Sequence, residues 1–298
     1  MGTPDFAVAS LKKLVEAGKD VVGVITAVDK PAGRGQKLSE SAVKKYASEK
    51  GLTILQPPNL KNSAFLDELK ALGADLFIVV AFRMLPAVVF EMPARGTFNL
   101  HASLLPQYRG AAPINWAIIN GETETGATTF FIEKQIDTGQ ILFQDKVAIT
   151  PTDTAGTLHD KLMDLGADLV LKTANAIEFD NYEQTPQDHN LATKAAPKIF
   201  KEDCVIDWNQ NVESIDNFIR GLTPYPVAHT KLNEKQLRVY HIETEFTTHQ
   251  LTPGVVVSDN KNYIKFAAID GFISIKDLQL QGKKRMDVKS FLNGYTVD

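Results

Sequence analysis

The chain has 298 residues, of which 44 % are hydrophobic and 23 % are charged, enough to fill sizeable cores and to form two domains. A net charge of −4 excludes a general affinity for nucleic acid, so a polyanionic partner would have to meet local basic patches. No apolar run approaches the ~20 residues of a membrane span, and the single Cys204 excludes an internal disulfide framework, which favours a cytoplasmic protein. The scattered histidines lack paired ligand spacing, so no metal site is expected.

The first third of the chain alternates helical patterns with buried-strand patterns. Thr3-Pro4-Asp5 starts a helix over residues 6–17, and Ser41 and Ser63 begin two more. Near-continuous apolar runs predict buried strands at residues 21–26 and 74–81. This alternation predicts an α/β fold with a mostly parallel sheet. Gly2-Thr3-Pro4 should be the turn after a first strand, and that strand is expected to be missing because only Met1 precedes the turn.

A loop at residues 29–37 is rich in glycine and in basic residues, among them Lys30, Arg34 and Lys37. It is either a solvated connection or a mobile cationic finger for phosphate. It lacks the Gly-Lys-Ser/Thr ending of a nucleotide-binding loop, so neither ATP nor GTP is expected there.

The centre of the sequence holds a candidate catalytic group. Asn99 and His101 lie two residues apart between apolar neighbours, so a strand would place both on one face. An amide can donate to a developing oxyanion, and an imidazole titrates near neutral pH. Asp137 follows a predicted strand at residues 126–135 and could orient His101 and stabilise its protonated form. The alternative is that Asn99 and His101 are ordinary loop residues whose polar groups are hydrogen-bonded, and that Asp137 lies in an ordinary turn.

The loop after the strand at residues 74–81 is either a pocket wall or core filling, because ligands of open α/β sheets bind where strands end. Residues 181–196 are polar and aperiodic, which indicates a linker. Short alternating segments from residue 228 to residue 280 predict a small OB-like barrel, and the basic run at residues 283–285 usually marks a solvated tip. The predicted domains are residues 1–180, a linker at 181–203, and residues 204–298.

One long motif carries a specific resemblance. Phe98-Asn99-Leu100-His101-Ala102-Ser103-Leu104-Leu105-Pro106, then Tyr108-Arg109-Gly110, Glu124-Thr125-Gly126 and Asp137-Thr138-Gly139, resemble the folate-dependent formyltransferases. The C-terminal domain argues against the single-domain glycinamide ribonucleotide branch, whereas the UDP-sugar branch shares the central motif. Gly2-Thr3-Pro4-Asp5-Phe6, the basic loop, Ile206-Asp207-Trp208 and Pro224-Tyr225-Pro226 resemble the methionyl-tRNA formyltransferase family.

This resemblance implies a Rossmann-like catalytic domain that transfers a formyl group from 10-formyltetrahydrofolate to the α-amino group of methionyl initiator tRNA. It implies a monomer without a metal, and catalytic roles for Asn99, His101 and Asp137. It implies folate contacts at two loops, formed by Phe82, Arg83, Met84 and Leu85, and by Ser103, Leu104, Leu105 and Pro106. It implies tRNA contacts from Lys30, Arg34, Lys37, Lys283, Lys284 and Arg285. A formyltransferase acting on a UDP-amino sugar and an inactive tRNA-binding homologue remain the alternatives.

Overall fold

The computed structural model describes residues 1–32 and 37–297. Its α-helices are α1 (Asp5–Glu16), α2 (Ala42–Glu49), α3 (Ser63–Ala71), α4 (Ala87–Phe90), α5 (Pro113–Ile119), α6 (Ala155–Glu178), α7 (Val212–Gly221) and α8 (Val288–Leu292). Its strands are β1 (Val24–Ile25), β2 (Lys30–Ala32), β3 (Lys37–Ser39), β4 (Ile54–Leu55), β5 (Phe77–Val80), β6 (Thr97–His101), β7 (Arg109–Gly110), β8 (Glu124–Phe131), β9 (Ile141–Ala148), β10 (Ala195–Ala196), β11 (His229–Leu232), β12 (Lys235–Phe246), β13 (Val256–Ser258), β14 (Ile264–Ala267), β15 (Gly271–Leu280) and β16 (Met286–Asp287).

These elements form two compact units that do not follow one another simply along the chain. The first unit comprises Met1–Gly110, Thr125–Val147 and His159–Ala195. The second comprises Ala111–Glu124, Ala148–Leu158 and Ala196–Asp298. The boundaries predicted at residues 180 and 204 remain a prediction.

The first unit has the predicted α/β fold, with a sheet in the order β5-β6-β8-β9. Strands β5 and β6 are parallel, whereas β6 and β8 are antiparallel, so the sheet is mixed. Both faces of β5 and β6 are covered, because Phe77 and Val79 are buried on one face of the sheet and Phe98 and Leu100 are buried on the other. Strand β8 ends at Phe131, four residues before its predicted end.

The amino-terminal residues of the first unit lie between β1 and β5. The Gly2 amide donates to the Ile25 carbonyl at 3.0 Å, and the Val80 amide donates to the Met1 carbonyl at 2.9 Å. The amino group of Met1 donates to the Ile78 carbonyl at 2.6 Å, and burial lowers its pKa from 8.0 to about 5. A cavity of about 490 Å³ continues from this point between residues 20–25 and 73–78. Among the described residues, Met1 and Gly2 therefore pair with β5 at the position where the first strand was expected.

The described ends of the basic segment at residues 29–37 are not a simple loop, because strands β2 and β3 pair as an antiparallel hairpin with Lys30 opposite Ser39. The hairpin is tied to α2 at its base, where the Lys44 ammonium and the Gln56 amide bind the Asp29 carboxylate. These contacts lower the pKa of Asp29. The predicted cap of α2 is confirmed, since the Ser41 hydroxyl accepts from the Lys44 amide at 3.0 Å.

The second unit is built on an antiparallel sheet in the order β11-β12-β15-β14-β13, with β16 paired to β15. Its core includes Ile215 and Ile219 of α7, and Trp208 stacks on Phe266 with ring centroids 4.5 Å apart. This is the antiparallel β domain that the alternating segments predicted. Among the described strands β11 and β13 do not pair with each other, so the barrel is open on that side.

Candidate active site

Asn99 and His101 both lie on β6, in the middle of the sheet. Asn99 stands opposite Val79 of β5 and Phe130 of β8, and His101 stands opposite Thr128. Because they are two residues apart, both side chains lie on the face of the strand opposite to Phe98 and Leu100. His101 is buried and Asn99 is half-buried. Among the described residues the Asn99 side-chain amide has no hydrogen-bond partner, so its donors and its acceptor are available to a ligand.

The His101 ring is oriented by a backbone group. Its Nε2 lies 2.8 Å from the carbonyl oxygen of Tyr108, which can only accept, so Nε2 carries the proton of the neutral ring. The other nitrogen, Nδ1, is then a proton acceptor. Tyr108 has a φ of 59°, an unusual conformation for a bulky residue, and its amide donates to the Lys194 carbonyl at 2.7 Å. This strained backbone aims the carbonyl at His101 and so sets the tautomer.

Asp137 is the third member of the group, in the turn after β8. Its Oδ2 accepts from the Gly110 amide at 3.0 Å and lies 3.8 Å from His101 Nδ1. The latter distance is too long for a hydrogen bond, yet it suits an ion pair once the imidazole is protonated. Both side chains are largely shielded, with exposures of 7 % for His101 and 14 % for Asp137. Asp137 is thus placed to stabilise a protonated ring, whereas the Tyr108 carbonyl orients the neutral ring and sets its tautomer.

The loop at residues 103–107 connects His101 to Tyr108 and is held by hydrogen bonds from the side chains of Thr128 and Gln144. The Thr128 hydroxyl donates to the Ser103 carbonyl at 2.6 Å and accepts from the Leu105 amide at 3.1 Å. The Gln144 amide reaches both the Thr128 hydroxyl and the Leu105 carbonyl at 2.9 Å. These contacts fix the path of the chain from His101 to Tyr108.

The eight residues predicted to contact the folate differ in how far their side chains are exposed. Ser103, Leu105 and Leu85 are buried, and the Ser103 hydroxyl donates to the Gln107 carbonyl at 2.7 Å, so these side chains support their loops. Met84 is 71 % exposed, and Arg83 is exposed while donating to the carbonyls of Pro57 and Pro58. The remaining three are half-buried: Phe82, Leu104 and Pro106. Their contact with a folate remains a prediction.

The predicted tRNA residues lie on two separate elements. Lys30 is exposed on the hairpin, Arg34 falls outside the described residues, and the side chain of Lys37 is likewise not described. Lys283 and Lys284 are exposed next to β15.

Arg285 differs from its two lysine neighbours because its charge has a partner. Its Nε and Nη2 donate to the Asp277 carboxylate at 2.5–3.0 Å, and its guanidinium lies 4.1 Å from the centroid of the Tyr240 ring. Arg285 therefore stabilises the sheet, and among the described residues Lys283 and Lys284 have no acidic partner, so they carry the uncompensated charge of the run.

Sequence reasoning missed three residues that build the site. Tyr108 and Arg109 stand in the central motif, but no pattern assigned them a role. Gln187 lies in the segment predicted as a linker, yet it is buried and donates to the carbonyls of Asp137 and Gly139. No local periodicity distinguishes it from the exposed polar residues on either side.

Within residues 1–32 and 37–297, no group of three or more His, Cys, Asp or Glu side chains could hold a metal, and no helix is long and apolar enough to cross a membrane.

Comparison with known proteins matches nearly the whole chain. The Formyl transferase family matches residues 1–174, and the Formyl transferase, C-terminal domain family matches residues 198–296. A methionyl-tRNA formyltransferase of Bacteroides thetaiotaomicron is 54 % identical over 305 residues, which cover 100 % of this chain and 95 % of the relative. A methionyl-tRNA formyltransferase of Flavobacterium johnsoniae is 55 % identical over 300 residues, covering 99 % of this chain and 95 % of the relative.

Solved structures share the fold at lower identity. A sugar 3N-formyl transferase crystallised in the presence of dTDP and 5-N-formyl-THF has a TM-score of 0.68 and 24 % identity, covering 95 % of this chain and 97 % of that one. An N-formyltransferase from Helicobacter canadensis, in complex with folinic acid and dTDP-3-aminofucose, has a TM-score of 0.63 and 22 % identity, covering 96 % and 97 %. These two similarities concern the fold alone. From the two family matches and the full-length relatives at more than 50 % identity, the chain belongs to the formyl transferase family and, within it, to the methionyl-tRNA formyltransferases.

Proposed function

We propose that this chain transfers the formyl group of 10-formyltetrahydrofolate to the α-amino group of methionyl initiator tRNA. The observation that carries the chemistry is the pairing of an unengaged amide, on Asn99, with an imidazole whose Nδ1 is left as a proton acceptor, on His101. The two lie on one face of one strand, so a carbonyl between them would meet a hydrogen-bond donor and a base together. The choice of acceptor is supported by the full-length relatives.

The reaction needs no covalent intermediate with the protein. The amine nitrogen of the methionyl group attacks the formyl carbon, a C–N bond forms, and the carbonyl electrons move to oxygen. Asn99 donates to that oxyanion, which lowers the barrier by about 3–4 kcal/mol if it acts like other single oxyanion donors. When the oxyanion collapses, the bond from the formyl carbon to the folate nitrogen breaks and the electron pair stays on that nitrogen.

The proton of the attacking amine has a defined route. His101 accepts it at Nδ1, because Nε2–H is already committed to the Tyr108 carbonyl. The resulting imidazolium then carries a charge 3.8 Å from the Asp137 carboxylate, which stabilises it. The same Nδ1–H returns the proton to the departing folate nitrogen, so the catalytic group ends the cycle as it began.

For the folate, we assign the half-buried and exposed side chains of Phe82, Met84, Leu104 and Pro106 as direct contacts. For tRNA, we assign the hairpin with Lys30, Arg34 and Lys37, and the lysines at positions 283 and 284. Lysines on exposed elements bind phosphates as point charges and give a salt-dependent affinity. We propose a cytoplasmic location, because charged initiator tRNA is found there, and a monomer, because one chain holds all three proposed catalytic residues.

The test is the kinetic signature of Asn99→Ala with charged initiator tRNA and 10-formyltetrahydrofolate. Turnover is expected to fall by about 10²–10³-fold, with KM for both substrates changed by less than about threefold, because the amide acts on the oxyanion rather than on the ground state. Asn181→Ala, which changes an exposed asparagine that makes no side-chain hydrogen bond among the described residues, is the matched control. Unchanged turnover in Asn99→Ala would overturn the assignment.

A further inference from the structure

The stretch from Asn181 to Ala195 contains one buried residue, and every position in it is described. Gln187 is 7 % exposed, whereas its neighbours Pro186 and Asp188 are exposed. A glutamine is costly to bury unless its amide is fully hydrogen-bonded. Its contacts therefore indicate what it holds.

Both the nitrogen and the oxygen of the Gln187 side-chain amide are hydrogen-bonded. Its Nε2 donates to the Asp137 carbonyl at 3.0 Å and to the Gly139 carbonyl at 2.8 Å. Its Oε1 accepts from Arg109 Nε at 3.1 Å and from Arg109 Nη2 at 2.6 Å. Two carbonyls can only accept and a guanidinium can only donate, so the orientation of the amide is fixed by its partners.

The turn that Gln187 holds is a demanding one. Asp137 has a φ of 55°, and a Cβ placed on Gly139 would lie 1.7 Å from the Phe131 carbonyl oxygen, so the chain passes close to the end of β8. Such a backbone persists only when its surroundings hold it. The two carbonyl contacts of Gln187 supply that constraint.

Arg109 connects the Tyr108–Gly110 segment to the same glutamine. It lies between Tyr108, whose carbonyl orients the His101 ring, and Gly110, whose amide binds the Asp137 carboxylate. Through these contacts Gln187 braces the Asp137 turn and the Tyr108–Gly110 segment against each other. The two groups that flank His101 are thus set by one side chain.

We propose that Gln187 is a positioning residue that fixes the Asp137 carboxylate relative to the His101 ring during formyl transfer. The kinetic part of this inference rests on the proposed function. Positioning groups behind a reactive centre typically contribute about 10–100-fold. Gln187→Ala is accordingly expected to lower turnover by about that factor, with KM for both substrates changed by less than about threefold.

The variant Gln187→Glu separates the two ends of the side chain. It keeps an acceptor for Arg109 but cannot donate to the carbonyls of Asp137 and Gly139. Turnover as low as in Gln187→Ala is expected if the hold on the turn is what matters. Gln184→Ala is the matched control, since Gln184 lies three residues away, is exposed, and makes no side-chain hydrogen bond among the described residues. Wild-type turnover in Gln187→Glu would overturn the proposal.

A readout independent of turnover is the tautomer of His101, followed by ¹⁵N NMR of the imidazole in the protein without substrates. The Nε2–H form is expected in the unmodified protein and in Gln184→Ala, and a mixture of tautomers in Gln187→Ala, because the Tyr108 carbonyl is then less firmly aimed. Unchanged imidazole signals in a folded Gln187→Ala protein would overturn the positioning role. If the unmodified protein formylated no tRNA, the proposed function would fail while this measurement still decided the role of Gln187.

Discussion

Two adjacent buried threonines of β8 make a matched pair for testing how the active-site loop is held. Thr128 and Thr129 are both fully buried, and their side chains point to opposite faces of the strand. The Thr128 hydroxyl contacts the loop at residues 103–107, whereas the Thr129 hydroxyl pairs with Thr173 at 2.8 Å. Replacing each by valine keeps the branched shape and the strand preference and removes only the hydroxyl.

The expected losses of unfolding free energy differ because the two substitutions remove different hydrogen bonds. Thr128→Val leaves the Leu105 amide and the Ser103 carbonyl without their hydroxyl partner inside the protein, at about 1–2 kcal/mol each, whereas the Gln144 amide loses the hydroxyl but keeps its bond to the Leu105 carbonyl, so a loss of about 3 kcal/mol is expected. Thr129→Val removes one hydroxyl–hydroxyl contact, and Thr173 keeps its bond to the Leu169 carbonyl at 2.7 Å. The loss there is expected to be about 1 kcal/mol.

Urea denaturation followed by circular dichroism measures the two losses of unfolding free energy. Hydrogen exchange read by mass spectrometry localises them, since the Leu105 amide should lose protection in Thr128→Val and keep it in Thr129→Val. Formyl transfer by Thr128→Val should fall by at least about tenfold, because the freed loop runs from His101 to Tyr108. Equal destabilisation by the two substitutions, with the Leu105 amide still protected, would refute this account of the loop.

Three further predictions rest on other parts of the molecule. The Met1 amino group has a pKa lowered from 8.0 to about 5, so the unfolded chain binds the extra proton between those values. The free energy of unfolding should fall by up to about 4 kcal/mol from pH 8 to pH 5, and acetylation of that amine should remove this part of the dependence, as urea titrations at each pH would reveal. Gly139→Ala places a methyl group against the Phe131 carbonyl, so turnover should drop at least about tenfold; wild-type kinetics would contradict the described turn. Lys284→Ala should reduce the slope of log affinity for tRNA against log salt by about one, whereas Arg285→Ala should reduce it less because Asp277 already neutralises that charge; equal slopes in filter-binding titrations would argue against the distinction.

Strand periodicity predicted most of the fold because it reflects burial, which is a local property of the sequence. The alternating segments predicted between residues 228 and 280 are observed as strands that include Lys235–Phe246, and the helix predicted over residues 6–17 is observed as Asp5–Glu16. The run at residues 21–26 was expected to form a strand throughout, yet only Val24–Ile25 does so. An apolar run can predict burial, but a strand also needs a partner backbone at each position, and the sequence does not reveal where partners end.

The candidate site was predictable to the extent that it depends on side-chain alternation. The spacing of Asn99 and His101 was sufficient to place both on one face of a strand, and the structure has them on β6. The partner that orients His101 is a backbone carbonyl, which has no signature in a side-chain motif. Gln187 acts on Asp137 from 50 residues away, and no local pattern encodes such a contact.

The most direct test of the central claim is a formyl-transfer assay with labelled 10-formyltetrahydrofolate and two acceptors in parallel. Charged initiator Met-tRNA and a UDP-amino sugar would be offered at equal concentration to the unmodified protein, with Asn99→Ala as the blank. The account predicts label on the tRNA-bound methionine and none on the sugar. Label on the sugar alone would contradict it, and so would equal labelling of tRNA by the protein and by the blank.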